Sequence, residues 1–203
     1  MNRTTRRVLI AAVIPFTAFA LAACSDSDSG GMPGMDQGGM TSSTPMMSGH
    51  GTADVEFAQM MITHHQQAVQ MATLAETRAA DPEIKQLAAQ IKAAQQPEIT
   101  MMTGWLTAWG QPTAQTGGHN MPGMGGMPGL MSEQEMGQLE AAKGVDFDRM
   151  FARMMIAHHN GAIQMAKSVQ TNGENADVKT LAATVISTQT AEVGQLQKIL
   201  DRL

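Results

Sequence analysis

The sequence predicts an all-α protein, a four-helix bundle made of two duplicated helical hairpins, and three observations carry that prediction. The run Met-Met-Ile-x-His-His occurs twice, at 60–65 and at 154–159, an offset of 94 positions. That offset holds without a gap from about Asp54/Asp148 to Leu106/Leu200, through Phe57/Phe151, Ala68/Ala162, Gln70/Gln164, Met71/Met165, Ala72/Ala166, Leu87/Leu181, Gln95/Gln189 and Glu98/Glu192. One unit of roughly sixty residues is therefore present in two copies. Within each copy Ala, Gln, Leu and Met dominate, and apolar residues recur every three or four positions, which is the helical period. Two hairpins that are each apolar on one face bury those faces against each other.

The chain opens with Arg3, Arg6 and Arg7 before an apolar run from Val8 to Leu21, so residues 1–23 have the parts of a secretory signal. The run is too short for a comfortable membrane span. Its ending, Leu21-Ala22-Ala23-Cys24, resembles a bacterial lipobox, which implies cleavage before Cys24 and a lipid on that residue. Residues 24–52 are rich in Ser, Gly, Asp and Met without an apolar period, and they read as a flexible tether.

Residues 53–203 form the predicted bundle: repeat 1 over 53–110, a Met/Pro/Gly linker over 111–131, a short helix over 132–142 and repeat 2 over 145–203. In repeat 1, Phe57, Met60, Met61, His64, Ala68, Met71 and Ala75 fall within about 100° of one another at 3.6 residues per turn, one buried stripe from about Asp54 to Arg78. Asp81 caps a second helix with Pro82 in its first turn, and Gly110 with Pro112 stops it. Pro97 lies inside that helix and predicts a kink. Ser132 with Glu135 is a capping-box pattern for the short helix. Repeat 2 runs from Asp146 to about Thr171, then from the cap Asn175 through Leu203. A linker of this length can cross a helix of roughly 39 Å or not, so topology stays open.

Composition narrows the function. Cys24 is the only cysteine, which rules out a disulfide within the chain and a thiolate cluster. Without residues 1–23, ten Lys and Arg stand against eighteen Asp and Glu, a net charge of −8 with no basic tract. That balance argues against nucleic acid and anionic lipid as partners. No Ser/His/Asp set, phosphate loop or nucleotide fingerprint supports a hydrolase or kinase, so the protein is read as a non-enzyme.

Both apolar stripes contain polar residues. With the hairpin turn centred near 80.5, antiparallel folding puts position 64 level with 97, so His64 is predicted to face Gln95 and Glu98, and Met60 to come level with Met101 and Met102. The same reasoning puts His158 beside Gln189 and Glu192. Burying imidazoles and carboxylates costs several kcal/mol unless they are paired or bind a metal. A plain polar layer that sets helix register is one reading. The doubling of each His, as His64-His65 and His158-His159, with Met60, Met61, Met154 and Met155 one turn away, favours a metal site. His65 and His159 project about 100° from their neighbours, toward the stripe edge, and offer a rim site.

Twenty methionines add to this. Met71, Met102 and Met165 read as core, whereas Met32, Met35, Met40, Met46, Met47, Met121, Met124, Met127 and Met131 fall in the two flexible stretches, where they are not expected to be core. Met32-Pro33-Gly34-Met35 and Met121-Pro122-Gly123-Met124 place paired sulfurs near His50 and His119. Thioethers select Cu(I), and imidazole takes Cu(I) or Cu(II). Copper is the metal indicated, Cu(I) first, with Cu(II) or silver as alternatives.

The set Phe57, Met60-Met61, His64-His65, Ala68 and Met71-Ala72, followed by Leu87-Ala88-x-x-Ile91, Gln95-x-x-Glu98 and Trp105-Leu106-x-x-Trp109-Gly110, resembles the domain of unknown function 305 family over essentially Asp54 to Leu203. The resemblance implies a ferritin-like four-helix fold and, for Met/His-rich members, copper binding and tolerance outside the cytoplasm. The second copy departs from the pattern, with Gln195-Leu196 in place of Met101-Met102 and no Trp ending, so its site is poorer in sulfur.

The leading expectation is a non-catalytic copper-binding lipoprotein, exported and anchored through Cys24 at the outer face of the cell membrane, or periplasmic, and able to exchange metal with other copper proteins. One alternative is a ferritin-like di-metal oxidase, which needs Glu-x-x-His motifs that the chain lacks. Another is a structural or interaction lipoprotein without metal.

Overall fold

The computed structural model describes residues 49–113 and 127–203. Five helices account for most of them: α1 (Thr52–Arg78), α2 (Pro82–Ala108), α3 (Glu133–Ala141), α4 (Gly144–Asn172) and α5 (Ala176–Arg202). None is long and apolar enough to cross a membrane among the described residues. Cys24, the tether methionines up to Met47, His119, Met121 and Met124 lie outside the described residues.

The helix ends follow their local sequence. The Asp81 side chain accepts from the backbone N–H groups of Glu83 and Ile84, Asn175 does the same for Asp177 and Val178, and Ser132 with Glu135 forms the expected capping box. These satisfy amides that have no partner within the helix. α2 runs through Pro97 without ending.

α1 pairs with α2 and α4 with α5 as two hairpins, joined through α1 against α4, while α2 and α5 touch little. α1 and α4 are antiparallel. Phe57 and Met61 share one apolar cluster with Ala162, Met165 and Val169, and Ala68, Met71 and Ala75 share another with Phe147, Phe151 and Met155. Between the two clusters sit His64, His65, His158 and His159, all with no exposed surface.

Two buried aspartates lock the hairpins together. Asp54 Oδ2 accepts from Glu174 N at 3.0 Å and Asn175 N at 3.1 Å, and Asp148 Oδ2 accepts from Asp81 N at 2.9 Å, with Ala80 N at 3.2 Å. Each carboxylate thus ties off the turn of the opposite hairpin, where backbone N–H groups point inward and would otherwise be unsatisfied. Gly173 is required at one turn, because a Cβ there would stand 2.6 Å from Asp54 Oδ1.

The end of the linker is not a tether. Met131 is buried in one apolar cluster, and Met127 packs on the other. This corrects the expectation that methionines in the Gly/Pro stretch stay out of the core; the segment 127–131 is held by the helices on which it lies. Likewise His50, placed in the tether by sequence, stacks on Trp109 with ring centroids 4.6 Å apart, and Asn175 Nδ2 donates to Gly49 O at 3.3 Å.

Candidate metal centre

The polar layer lies where α1 and α4 cross at mid-length. His64 meets His158 across that seam, with ring centroids 3.6 Å apart and planes inclined by 35°. His65 turns toward its own hairpin partner, and its Nε2 lies 2.7 Å from Glu98 Oε2. His159 Nε2 approaches Glu192 Oε2 at 2.7 Å, although this contact is not directed as a hydrogen bond.

The pairing therefore differs from the sequence expectation. Glu98 meets His65, not His64, and Glu192 meets His159, not His158. His65 and His159 are wholly buried, not at a rim. The reason is that α1 and α4 are each packed on two sides. Positions separated by about 100° both face neighbours, one toward the other hairpin and the next toward the helix of the same hairpin.

The remaining predicted donors are divided. Met61 and Met155 are fully buried and Met154 nearly so, Met60 is half-buried, and the two pairs lie on opposite sides of the histidine layer because α1 and α4 run antiparallel. Met102 is buried beside Met61, whereas Met101 is 46% exposed. Gln95 and Gln189 are buried, with both amide atoms of Gln95 and Oε1 of Gln189 lacking a hydrogen-bond partner.

Burial governs the electrostatics. Desolvation lowers the His64 imidazolium from its usual 6.5 to about 3, opposed by the Pro128 carbonyl and reinforced by the charges of His65 and His159. The same desolvation, followed by the charges of His64, His159 and His65 and weakly opposed by the His64 backbone, holds His158 well below its usual value. Both rings are neutral at ordinary pH, the form that ligates metals.

The donor chemistry fits a soft metal ion. Nδ1 of all four histidines is buried without a partner, as are both ring nitrogens of His158. In His64 and His65 the other nitrogen is held by an oxygen acceptor, the arrangement that orients metal-ligating imidazoles. Among the described residues no group of three His, Cys, Asp or Glu side chains is disposed to hold one metal ion. The donor types that the layer and its flanking clusters hold, imidazole and thioether, are those that copper and silver take.

Sequence reasoning missed Pro128, whose carbonyl lies 3.1 Å from His64 Nε2, and Gln67, which anchors the linker through Met131. Gly161 in the middle of a helical pattern was the available signal, since such a glycine marks a close approach of another chain segment. A cleft of about 300 Å³, lined by Phe57, Met60, Pro128, Met165 and Val169 among others, leads from the surface to Pro128.

The pattern of the family described as Domain of unknown function (DUF305) matches residues 54–200. Among solved structures, a DUF305 protein of Streptomyces coelicolor described as secreted is 32% identical, with a TM-score of 0.66 over 74% of this chain and 93% of that one. A DUF305 fragment from Deinococcus radiodurans is 31% identical, with a TM-score of 0.67 over 75% of this chain and 98% of that one. CopM in its Cu(II)-bound form is 36% identical, with a TM-score of 0.63 over 73% of this chain and 96% of that one. CopM is also known in Cu(I)-bound and silver-bound forms. No curated protein sequence matches the chain.

Proposed function

Because the chain belongs to the DUF305 family, we propose that it is a non-catalytic copper-binding protein that captures or buffers copper outside the cytoplasmic membrane, held there by a lipid on Cys24. The observation that carries this reading is the set of four buried imidazoles whose Nδ1 atoms have no protein partner. A layer that served only to fix helix register would satisfy its polar atoms, because each orphan costs about 1–3 kcal/mol. CopM, similar over most of both chains, binds Cu(II), Cu(I) and silver, which supports copper as the cargo.

The buried Met61 and Met155 favour Cu(I), with Cu(II) or silver as weaker or substitute cargo. Met60 on the cleft wall offers a first soft contact for metal arriving from solvent, or from another copper protein with which the chain exchanges it. Among the described residues Asp54 and Asp148 are engaged with turn amides, which leaves Glu98 and Glu192 as the carboxylates beside the histidines, fewer than the four that a di-iron carboxylate site uses.

Competition titration with a Cu(I) chelator tests the proposal. The chain from Ser25 onward is expected to bind copper, and the variant with His64, His65, His158 and His159 replaced by Gln is expected to lose the tight site while keeping its helical circular dichroism. Unchanged affinity in the folded variant would refute the site.

A further inference from the structure

Two histidines made equivalent by the 94-residue offset are served differently. Met127–Met131 passes once over the seam between α1 and α4, and Pro128 offers its carbonyl to His64 Nε2 at 3.1 Å, whereas neither ring nitrogen of His158 has a well-directed hydrogen bond, its contact with the His64 backbone being the weakest influence on it. A carbonyl can only accept, so the Pro128 contact puts the proton of His64 on Nε2 and leaves Nδ1 with a bare lone pair.

Three features hold that carbonyl in place. Gln67 grips Met131 from both sides, its Nε2 donating to Met131 O at 2.8 Å and its Oε1 accepting from Met131 N at 2.7 Å. Gly129 has φ +77°, and a Cβ there would stand 2.5 Å from the Ala157 carbonyl oxygen. Gly161, inside α4, admits Pro128 so closely that a Cβ would lie 1.8 Å from the Pro128 oxygen. Glycine inside a helix is roughly 0.5–1 kcal/mol worse than alanine, and the crossing segment supplies the reason for it here.

We propose that Gln67 and Gly161 are positioning residues: through the Met127–Met131 strap they hold the Pro128 carbonyl on His64 Nε2 and so present His64 Nδ1 to the metal, while His158, which has no strap, is the ligand free to reorient. This rests on the copper-binding reading above. It makes the two halves of a repeated site unequal, because one strap crossing one seam can serve only one of the two rings.

Nitrogen-15 NMR of the histidine side chains in the metal-free full chain, together with Cu(I) competition titration, tests it. The wild-type chain is expected to show His64 as the pure Nε2–H tautomer and His158 as a mixture. Gly161→Ala favours the helix yet pushes the carbonyl away, so it should keep the helical signal, move His64 to a mixture and lower Cu(I) affinity by about 10–100-fold. Gln67→Leu should do the same by releasing Met131. A tautomeric mixture at His64 in the wild-type chain, an unchanged His64 signature in both variants, or copper affinity in the variants equal to or above wild type overturns the proposal. Failure of the copper-binding reading looks different: the wild-type chain binds no Cu(I) while its tautomers are as stated.

Discussion

His64 and His158 meet across the α1–α4 seam with ring centroids 3.6 Å apart, although 94 residues separate them in the chain. Two imidazoles this close, without solvent, cannot both carry charge at modest cost. The layer is therefore built for neutral rings, and its behaviour with pH follows.

His64 is lowered from 6.5 to about 3 in the folded state, chiefly by burial, and His158 moves in the same direction. Between those pH values the unfolded chain binds more protons than the folded one. The contribution of His64 to stability is thus complete above pH 6.5 and is lost as pH falls toward 3, and that of His158 falls in the same direction. Urea unfolding of the metal-free protein at pH 7.5, 6 and 4.5 checks this; stability that is flat over the range would contradict it.

The same shifts predict that protons compete weakly for His64 and His158. Copper affinity should change little between pH 7.5 and pH 5, where an exposed histidine site would already be losing metal to protonation. Chelator competition at the two pH values reads the difference directly.

Glu98 and Glu192 stand behind His65 and His159, so in the proposed site they act on the metal through those rings. Glu98→Gln is expected to cost about 10–100-fold in copper affinity with little change in helical content. Glu192→Gln should cost less, because the His159 contact is the less well directed of the two. Equal titration curves for wild type and both variants would remove the carboxylates from the site.

Met61 separates packing from ligation. It is fully buried beside Met102 and Leu106, and Met61→Leu keeps nearly its volume, so stability should fall by less than about 1.5 kcal/mol. If its sulfur meets the metal, Cu(I) affinity drops while Cu(II) affinity barely moves. Parallel unfolding curves and titrations with each oxidation state distinguish the two roles.

The turn clamps give a purely structural expectation. Asp54→Ala leaves the amides of Gly51, Glu174 and Asn175 without their acceptor, and Asp148→Ala leaves those of Ala80 and Asp81. Each should lose about 2–4 kcal/mol, the larger loss at Asp54, measured by denaturant unfolding.

What the sequence made legible was local. The caps at Asp81, Ser132 and Asn175 and the all-α fold followed from neighbours in the chain, because a cap bonds amides two or three residues away. The buried histidines were also legible, as polar residues on an apolar stripe. Their partners were not. Which ring meets Glu98 depends on α1 having two packed sides, and one stripe drawn at 3.6 residues per turn assumes a single side. Met127 and Met131 were hidden for a related reason: Gly and Pro around them describe a chain without helix, and only Gln67 and Gly161, remote in sequence, reveal that it is seated. Asp54 and Asp148 were visible as a matched pair, but their acceptor role lies on the opposite hairpin.

The central claim is that the buried histidine layer, not the methionines outside the helices, takes the metal first. Adding Ag(I) or Cu(I) in sub-stoichiometric steps to the nitrogen-15-labelled full chain, and following every histidine side chain and methionine methyl by NMR, decides it. The Nδ1 signals of His64, His65, His158 and His159 are expected to respond in the first additions, with the Met61 and Met155 methyls, before His50 and His119 change. A response confined to His50, His119 and the methionines of residues 32–47 and 121–124, with the four buried imidazoles unmoved, would contradict it.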